Sequence, residues 1–137
     1  MDVTVNQEAE GKTFDFLPHS SIKTEELKTF VFNSPKQLIE TRTKEFSAVC
    51  PFSGLPDIAE LTIKYYPTSD KCIELKSLKY YLTSFRNVGI YQEAVTKRIF
   101  DDLKAVLGIE ELQVETVYNT RGGFDTTCTE GNIYQYN

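Results

Sequence analysis

Three residues that break regular structure, Pro51, Gly54 and Pro56, fall within residues 48–57 (A-V-C-P-F-S-G-L-P-D). The segments on either side must therefore be joined by a fixed turn and cannot run on as a helix or a central strand. Residues 58–66 alternate, with Leu61, Ile63 and Tyr65 on one side and Glu60, Thr62 and Lys64 on the other. That is the period of a half-buried strand. Residues 36–46, with Leu38, Ile39, Thr41 and Thr43, read as a strand before the turn. The joining loop carries a thiol, Cys50, and a carboxylate, Asp57. They are a candidate nucleophile and a candidate proton donor, in the kind of braced loop where reactive side chains tend to sit. A free cysteine taken alone is as a rule a small buried hydrophobe, so the pair needs support from elsewhere in the chain.

Beyond residue 66 the turn P-T-S-D over 67–70 ends the second strand. Leu75, Leu78 and Leu82 predict a short amphipathic helix over 75–86, which Asn87 and Gly89 interrupt. Val95, Ile99, Leu103, Val106 and Leu107 form the apolar stripe of a second helix over 91–107, closed by Gly108. Residues 112–118 alternate as a third strand, 119–123 turn, and 124–129 return as a fourth. The order β-β-α-α-β-β predicts an α+β fold, an antiparallel sheet with both helices on one face. Residues 1–35 are polar and irregular apart from aromatic clusters at Phe14 and Phe16 and at Phe30 and Phe32. They are expected to form an arm (1–35) pinned onto a single domain (36–137) or onto a neighbouring copy.

Composition narrows the function. At 137 residues the chain is one domain, small enough that a neighbouring subunit can be needed to wall in a site. A net charge of -5 argues against direct nucleic-acid binding and favours a small-molecule substrate. No apolar run approaches the ~18 residues of a membrane span, and the sequence opens without the basic and apolar regions of a signal peptide. Cytoplasmic residence is the expectation. Cys50, Cys72 and Cys128 form neither a C-x-x-C pair nor an even disulfide set, which fits free thiols in a reducing compartment. The single histidine, His19, leaves no imidazole for a serine triad and no usual hydrolytic zinc set, so no metal site is expected.

Residues 74–81 read E-L-K-S-L-K-Y-Y, followed by Phe85-Arg86-Asn87 and later by Arg121-Gly122-Gly123. With the Cys50 loop, these segments resemble the QueF family over about residues 46–125, in the right order. The stretch 74–81 meets the family pattern E-(S/L)-K-S-L-K-x-(Y/F/W) at every fixed position. The resemblance implies the tunnelling fold (T-fold), with subunits closing into rings. It also implies an NADPH-dependent nitrile reductase of queuosine biosynthesis, a tRNA-modification pathway, that converts 7-cyano-7-deazaguanine to 7-aminomethyl-7-deazaguanine. Poverty in histidine separates the chain from zinc-dependent GTP cyclohydrolase I, which shares that fold.

By the same resemblance, Cys50 adds to the nitrile carbon as a thiolate and forms a thioimide, Asp57 protonates the nitrogen, and two NADPH complete the reduction. Splitting one difficult step into easier ones is the physical advantage of the covalent route. Glu93 is implied to hold the purine-like base, with Ile73, Glu74, Leu75 and Gln92 as further substrate contacts. Gln92 departs from the family, which has histidine before the glutamate, and glutamine cannot take up a charge near neutral pH. Leu75, Lys76, Arg121 and Gly122 are the implied NADPH contacts. Lys76 and Arg121 suit phosphates, and no G-x-G-x-x-G follows a strand. A homo-oligomer with active sites at subunit interfaces is expected. Two alternatives remain. One is a QueF-like amidinotransferase (archaeosine synthase) acting on tRNA, in which ammonia replaces the reductant. The other is a non-catalytic purine- or pterin-binding module.

Overall fold

In a computed structural model of the chain, which describes residues 15–133, the strands are β1 (Thr29–Val31), β2 (Ile39–Val49), β3 (Pro56–Tyr65), β4 (Lys71–Ile73), β5 (Leu112–Tyr118) and β6 (Thr127–Gly131). Two helices, α1 (Leu75–Thr83) and α2 (Gln92–Leu107), lie between β4 and β5. An antiparallel sheet of order β2-β3-β5-β6 forms the main layer. Ala59, Leu61, Ile63 and Tyr65 of β3 share one buried core with Leu112 and Val114 of β5 and with the stripes Leu78–Leu82 and Val95–Ile99–Leu103–Leu107 of the helices. Both helices therefore cover one face, as the order of elements predicts. On the other face, Arg42 bridges Glu40 and Glu60, and Lys64 bridges Glu40.

Three features depart from the sequence reading. Pro56 and Asp57 belong to the strand and not to the loop: Asp57 sits opposite Ala48 and Pro56 opposite Val49. Proline is tolerated there because it opens the strand, where no preceding ladder bond is lost. The fourth strand starts at Thr127, later than expected, because Arg121 and Phe124 close a turn on each other first. A two-stranded sheet, β1 with β4, was not legible at all.

Residues before β2 are tied to the body of the fold. Ile22 and Leu27 enter the common core. The backbone of Leu17 bonds Asn87 and Gly89. Thr24 and Arg98 share hydrogen bonds with Asp102, which also accepts from the Tyr81 hydroxyl at 2.6 Å. Gly89 is required by close approach, since a Cβ there would lie 2.1 Å from the Phe16 ring. Phe14 lies outside the described residues.

What matters for the site is the direction of each element. Val49 donates to Val88, and Ile90 donates to Val49 at 2.9 Å, so the segment before α2 is stitched to the end of β2 where Cys50 begins. Helix α2 then runs away from that end until Gly108 (φ 65) stops it. Helix α1 runs the opposite way. It begins beside β4, where the Ile73 N–H donates to the Tyr65 hydroxyl at 2.9 Å, and leads back toward residues 87–89.

Candidate active site

The loop after β2 is a closed turn. Gly54 N–H donates to the Cys50 carbonyl at 2.7 Å and Cys50 N–H to the Leu55 carbonyl at 2.9 Å, with Gly54 at φ 75. This brings residue 53 back over the thiol. Partial burial pushes the Cys50 thiol up, but hydrogen bonds from the Ser53 backbone, the Ser53 side chain and the Phe52 backbone outweigh it. Asp57 also pulls upward, and the net result lies below the ordinary cysteine range. Since the thiolate is the nucleophile, this is the electrostatics a covalent catalyst needs. Ser53 went unassigned in the sequence reading. A serine inside a Pro/Gly turn is the signal that could have found it, because its hydroxyl competes locally for backbone and neighbouring groups. Ser53→Ala is expected to raise the Cys50 pKa, moving the midpoint of the pH profile for iodoacetamide alkylation upward. An unmoved midpoint would mean that Ser53 does not support the thiolate.

Asp57, 5% exposed, faces the helix-covered side of the sheet. Its carboxylate pairs with Arg121, which also donates to the Pro56 carbonyl at 3.2 Å. The turn after β5 thus reaches across to the strand that carries Asp57. Gln92 and Glu93 open α2 at this same end, and Glu93 is exposed in its first turn. Thr96, one turn on, donates to the Gln92 carbonyl at 3.0 Å and shares a 2.6 Å hydrogen bond with Thr116 of β5. Cys50, Asp57, Arg121, Gln92 and Glu93 are therefore gathered at one end of the sheet.

The other expected site residues are elsewhere. Ile73, Glu74, Leu75 and Lys76 lie where β4 meets α1, beside Tyr65. Tyr65 is eight residues from Asp57 along β3, about 26 Å at ~3.3 Å per residue. Ile73 is buried, whereas Leu75 is exposed. Glu74 caps α1, its two carboxylate oxygens accepting from Lys76 N–H at 2.9 Å and Ser77 N–H at 2.8 Å. Those backbone donors favour the carboxylate and hold its pKa below the ordinary glutamate range. Ile73, Glu74 and Leu75 line a groove with Phe30, Phe32 and Tyr65.

The expected cofactor contacts are divided in the same way. Lys76, near the Tyr65 end, forms no ion pair among the described residues, and Gly122 and Gly123 leave open space around their backbone. These three suit an anion. Arg121 is already committed to Asp57. Among the described residues there is no group of histidine, cysteine and acidic side chains that could hold a metal, and no helix is long and apolar enough to cross a membrane. Cys50, Cys72 and Cys128 are free.

Known proteins resemble this chain in sequence and in fold. The NADPH-dependent 7-cyano-7-deazaguanine reductases of Thermotoga petrophila and Thermotoga maritima are each 54% identical to the chain over 125 residues, covering 91% of it and 91% of their own length. The protein of the same name from Caldicellulosiruptor bescii is 47% identical over 117 residues, covering 84% of this chain and 88% of its own. Among solved structures, the apo form of the archaeosine synthase QueF-Like superposes with a TM-score of 0.66 at 21% identity, over 73% of this chain and 96% of that one. At that identity the likeness speaks for the fold. The model of the QueF-like protein family matches residues 56–135, which takes in Asp57, the E-L-K-S-L-K-Y-Y stretch and Arg121. A match over more than half of the chain, beside relatives more than half identical along nine-tenths of it, means that the chain belongs to the QueF family.

Proposed function

We propose that this protein reduces 7-cyano-7-deazaguanine to 7-aminomethyl-7-deazaguanine with two NADPH, in the cytoplasm and on the route to queuosine in tRNA. The observation that carries this reading is the Cys50–Asp57 pair: a thiol held below its ordinary pKa at one end of a closed turn, and a buried carboxylate just past the other end. Cys50 gives its proton to the Asp57 carboxylate, the thiolate adds to the nitrile carbon, and the nitrogen that gains electron density takes that proton from Asp57. Arg121 fixes that carboxyl group on the helix-covered face. Glu93 accepts hydrogen bonds from the ring N–H and exocyclic amine of the base, with Gln92 beside it. NADPH, when bound, supplies the reducing equivalents, and Lys76 with the Gly122–Gly123 backbone are the groups suited to hold its phosphates.

One copy does not bring the two halves of this site together. With about 26 Å between them along β3, the Cys50 end of one subunit must meet the Glu74–Lys76 end of another, in a homo-oligomer with the active site at the interface. Both ends carry apolar side chains suited to burial in such a contact: Phe52 and Phe124, 80% and 75% exposed, at the first, and Phe30, Val31 and Phe32 at the second. The outer edges of β2 and β6 have no partner strand among the described residues, and pairing them between copies would close a ring.

Mixing the protein with 7-cyano-7-deazaguanine and NADPH and following nicotinamide absorbance tests the function. Two NADPH consumed per substrate is the expected result. Absence of oxidation would overturn the reading, and ammonia-dependent amidine formation on modified tRNA would replace it with an amidinotransferase.

A further inference from the structure

Tyr118 closes β5 on the helix-covered face of the sheet. It pairs in register with Ala59, so Asp57, two residues earlier on β3, is its diagonal neighbour on that face. A diagonal pair of this kind lies within reach of a tyrosine ring. Tyr118 is 4% exposed, and its hydroxyl finds no hydrogen-bond partner among the described residues. Thr116, the next side chain along that face, already shares its hydroxyl with Thr96.

A buried phenol normally reaches a partner, and leaving one unmade destabilises the fold. Here the oxygen sits among the groups expected to carry the chemistry. Burial raises the pKa of this hydroxyl well above the ordinary tyrosine value, Asp57 from β3, Cys128 from β6 and Glu93 from α2 push the same way, and the nearby Thr116 hydroxyl pulls it back without reversing the shift. The proton therefore stays on the oxygen, which makes Tyr118 a hydrogen-bond donor in this setting and not an acid. Arg121 is the cation paired with the same Asp57.

On the reductase reading, we propose that Tyr118 is a positioning residue for the proton transfer: its hydroxyl donates a hydrogen bond to the Asp57 carboxyl group as that group gives its proton to the substrate nitrogen. The Cys50 S–H bond breaks as its proton passes to the Asp57 carboxylate, the Asp57 O–H bond so formed breaks as the N–H bond forms, and the carboxylate left behind is stabilised by a donor that no other group among the described residues employs. Hydrogen bonding to the charged form favours that form, so the step is eased.

Tyr118→Phe removes the oxygen alone. Its melting temperature is expected to equal or exceed that of the wild type, because no hydrogen bond is lost. Its kcat is expected to fall about tenfold, with KM within about threefold and the pH profile of kcat displaced. An unchanged kcat and profile beside an active wild type would overturn this inference alone. A melting temperature lower by several degrees would show a structural role for the hydroxyl and would also overturn it. A wild type that consumes no NADPH with the nitrile would overturn the reductase reading and this inference with it.

Discussion

Asp57→Asn is expected to fold normally and to lose about 10²- to 10⁴-fold in turnover, the range typical of removing a general acid. The amide keeps an oxygen that can accept from Arg121 and nearly the same volume, so the ion pair becomes a neutral hydrogen bond and the face of β3 stays packed. What the amide lacks is a proton it can give up near neutral pH. Nitrogen in the adding nitrile gains a lone pair as the carbon–sulfur bond forms, and without a nearby donor that charge must be met by water. Turnover within a few fold of the wild type, measured by NADPH oxidation, would mean that the proton comes from another group.

The second large effect concerns the division of the site between copies. Cys50→Ala is expected to be inactive, and Lys76→Glu to lose most activity by repelling cofactor phosphates. A carboxylate in the first turn of α1 is favoured by the helix dipole, so Lys76→Glu should not unfold it. Co-refolded in equal amounts, the two variants should recover about a quarter of wild-type activity, because random assembly of a symmetric oligomer joins a sound Cys50 end to a sound Lys76 end at that frequency. No recovery would place all the required groups within one subunit.

Much of the fold was legible in the sequence because its signals are local. The alternation of residues 58–66 became β3, and the stripe from Val95 to Leu107 became α2 with Gly108 as its left-handed cap. The pairing of Thr29–Val31 with Lys71–Ile73 joins segments some forty residues apart, each too short to show a period. A bulge in β2 was equally silent: Lys44 and Glu45 stand opposite Glu60 alone, which turns Phe46 and Ala48 onto the face that Asp57 shares.

The candidate site was legible as a set of residues and not as an arrangement. Motif spacing places Glu74 and Cys50 within 25 positions of each other, yet the intervening strand β3 carries them to opposite ends of the sheet. Glu74 reads equally well as a ligand contact or a helix cap, and only the fold shows its oxygens on the first N–H groups of α1. Arg121 looked like a free phosphate partner until the turn after β5 placed it on Asp57. Ser53 and Tyr118 carry no assigned role in the sequence for a different reason, since the influence of each comes from closure of a turn or burial beneath a helix.

Intact mass spectrometry of the protein mixed with 7-cyano-7-deazaguanine in the absence of NADPH addresses the covalent chemistry most directly, because thiolate addition needs no reductant. A gain equal to the full mass of the nitrile, mapped to Cys50 and lost in Cys50→Ala, is expected. An adduct on Cys72 or Cys128, or none on a protein that still oxidises NADPH with the nitrile, would contradict it.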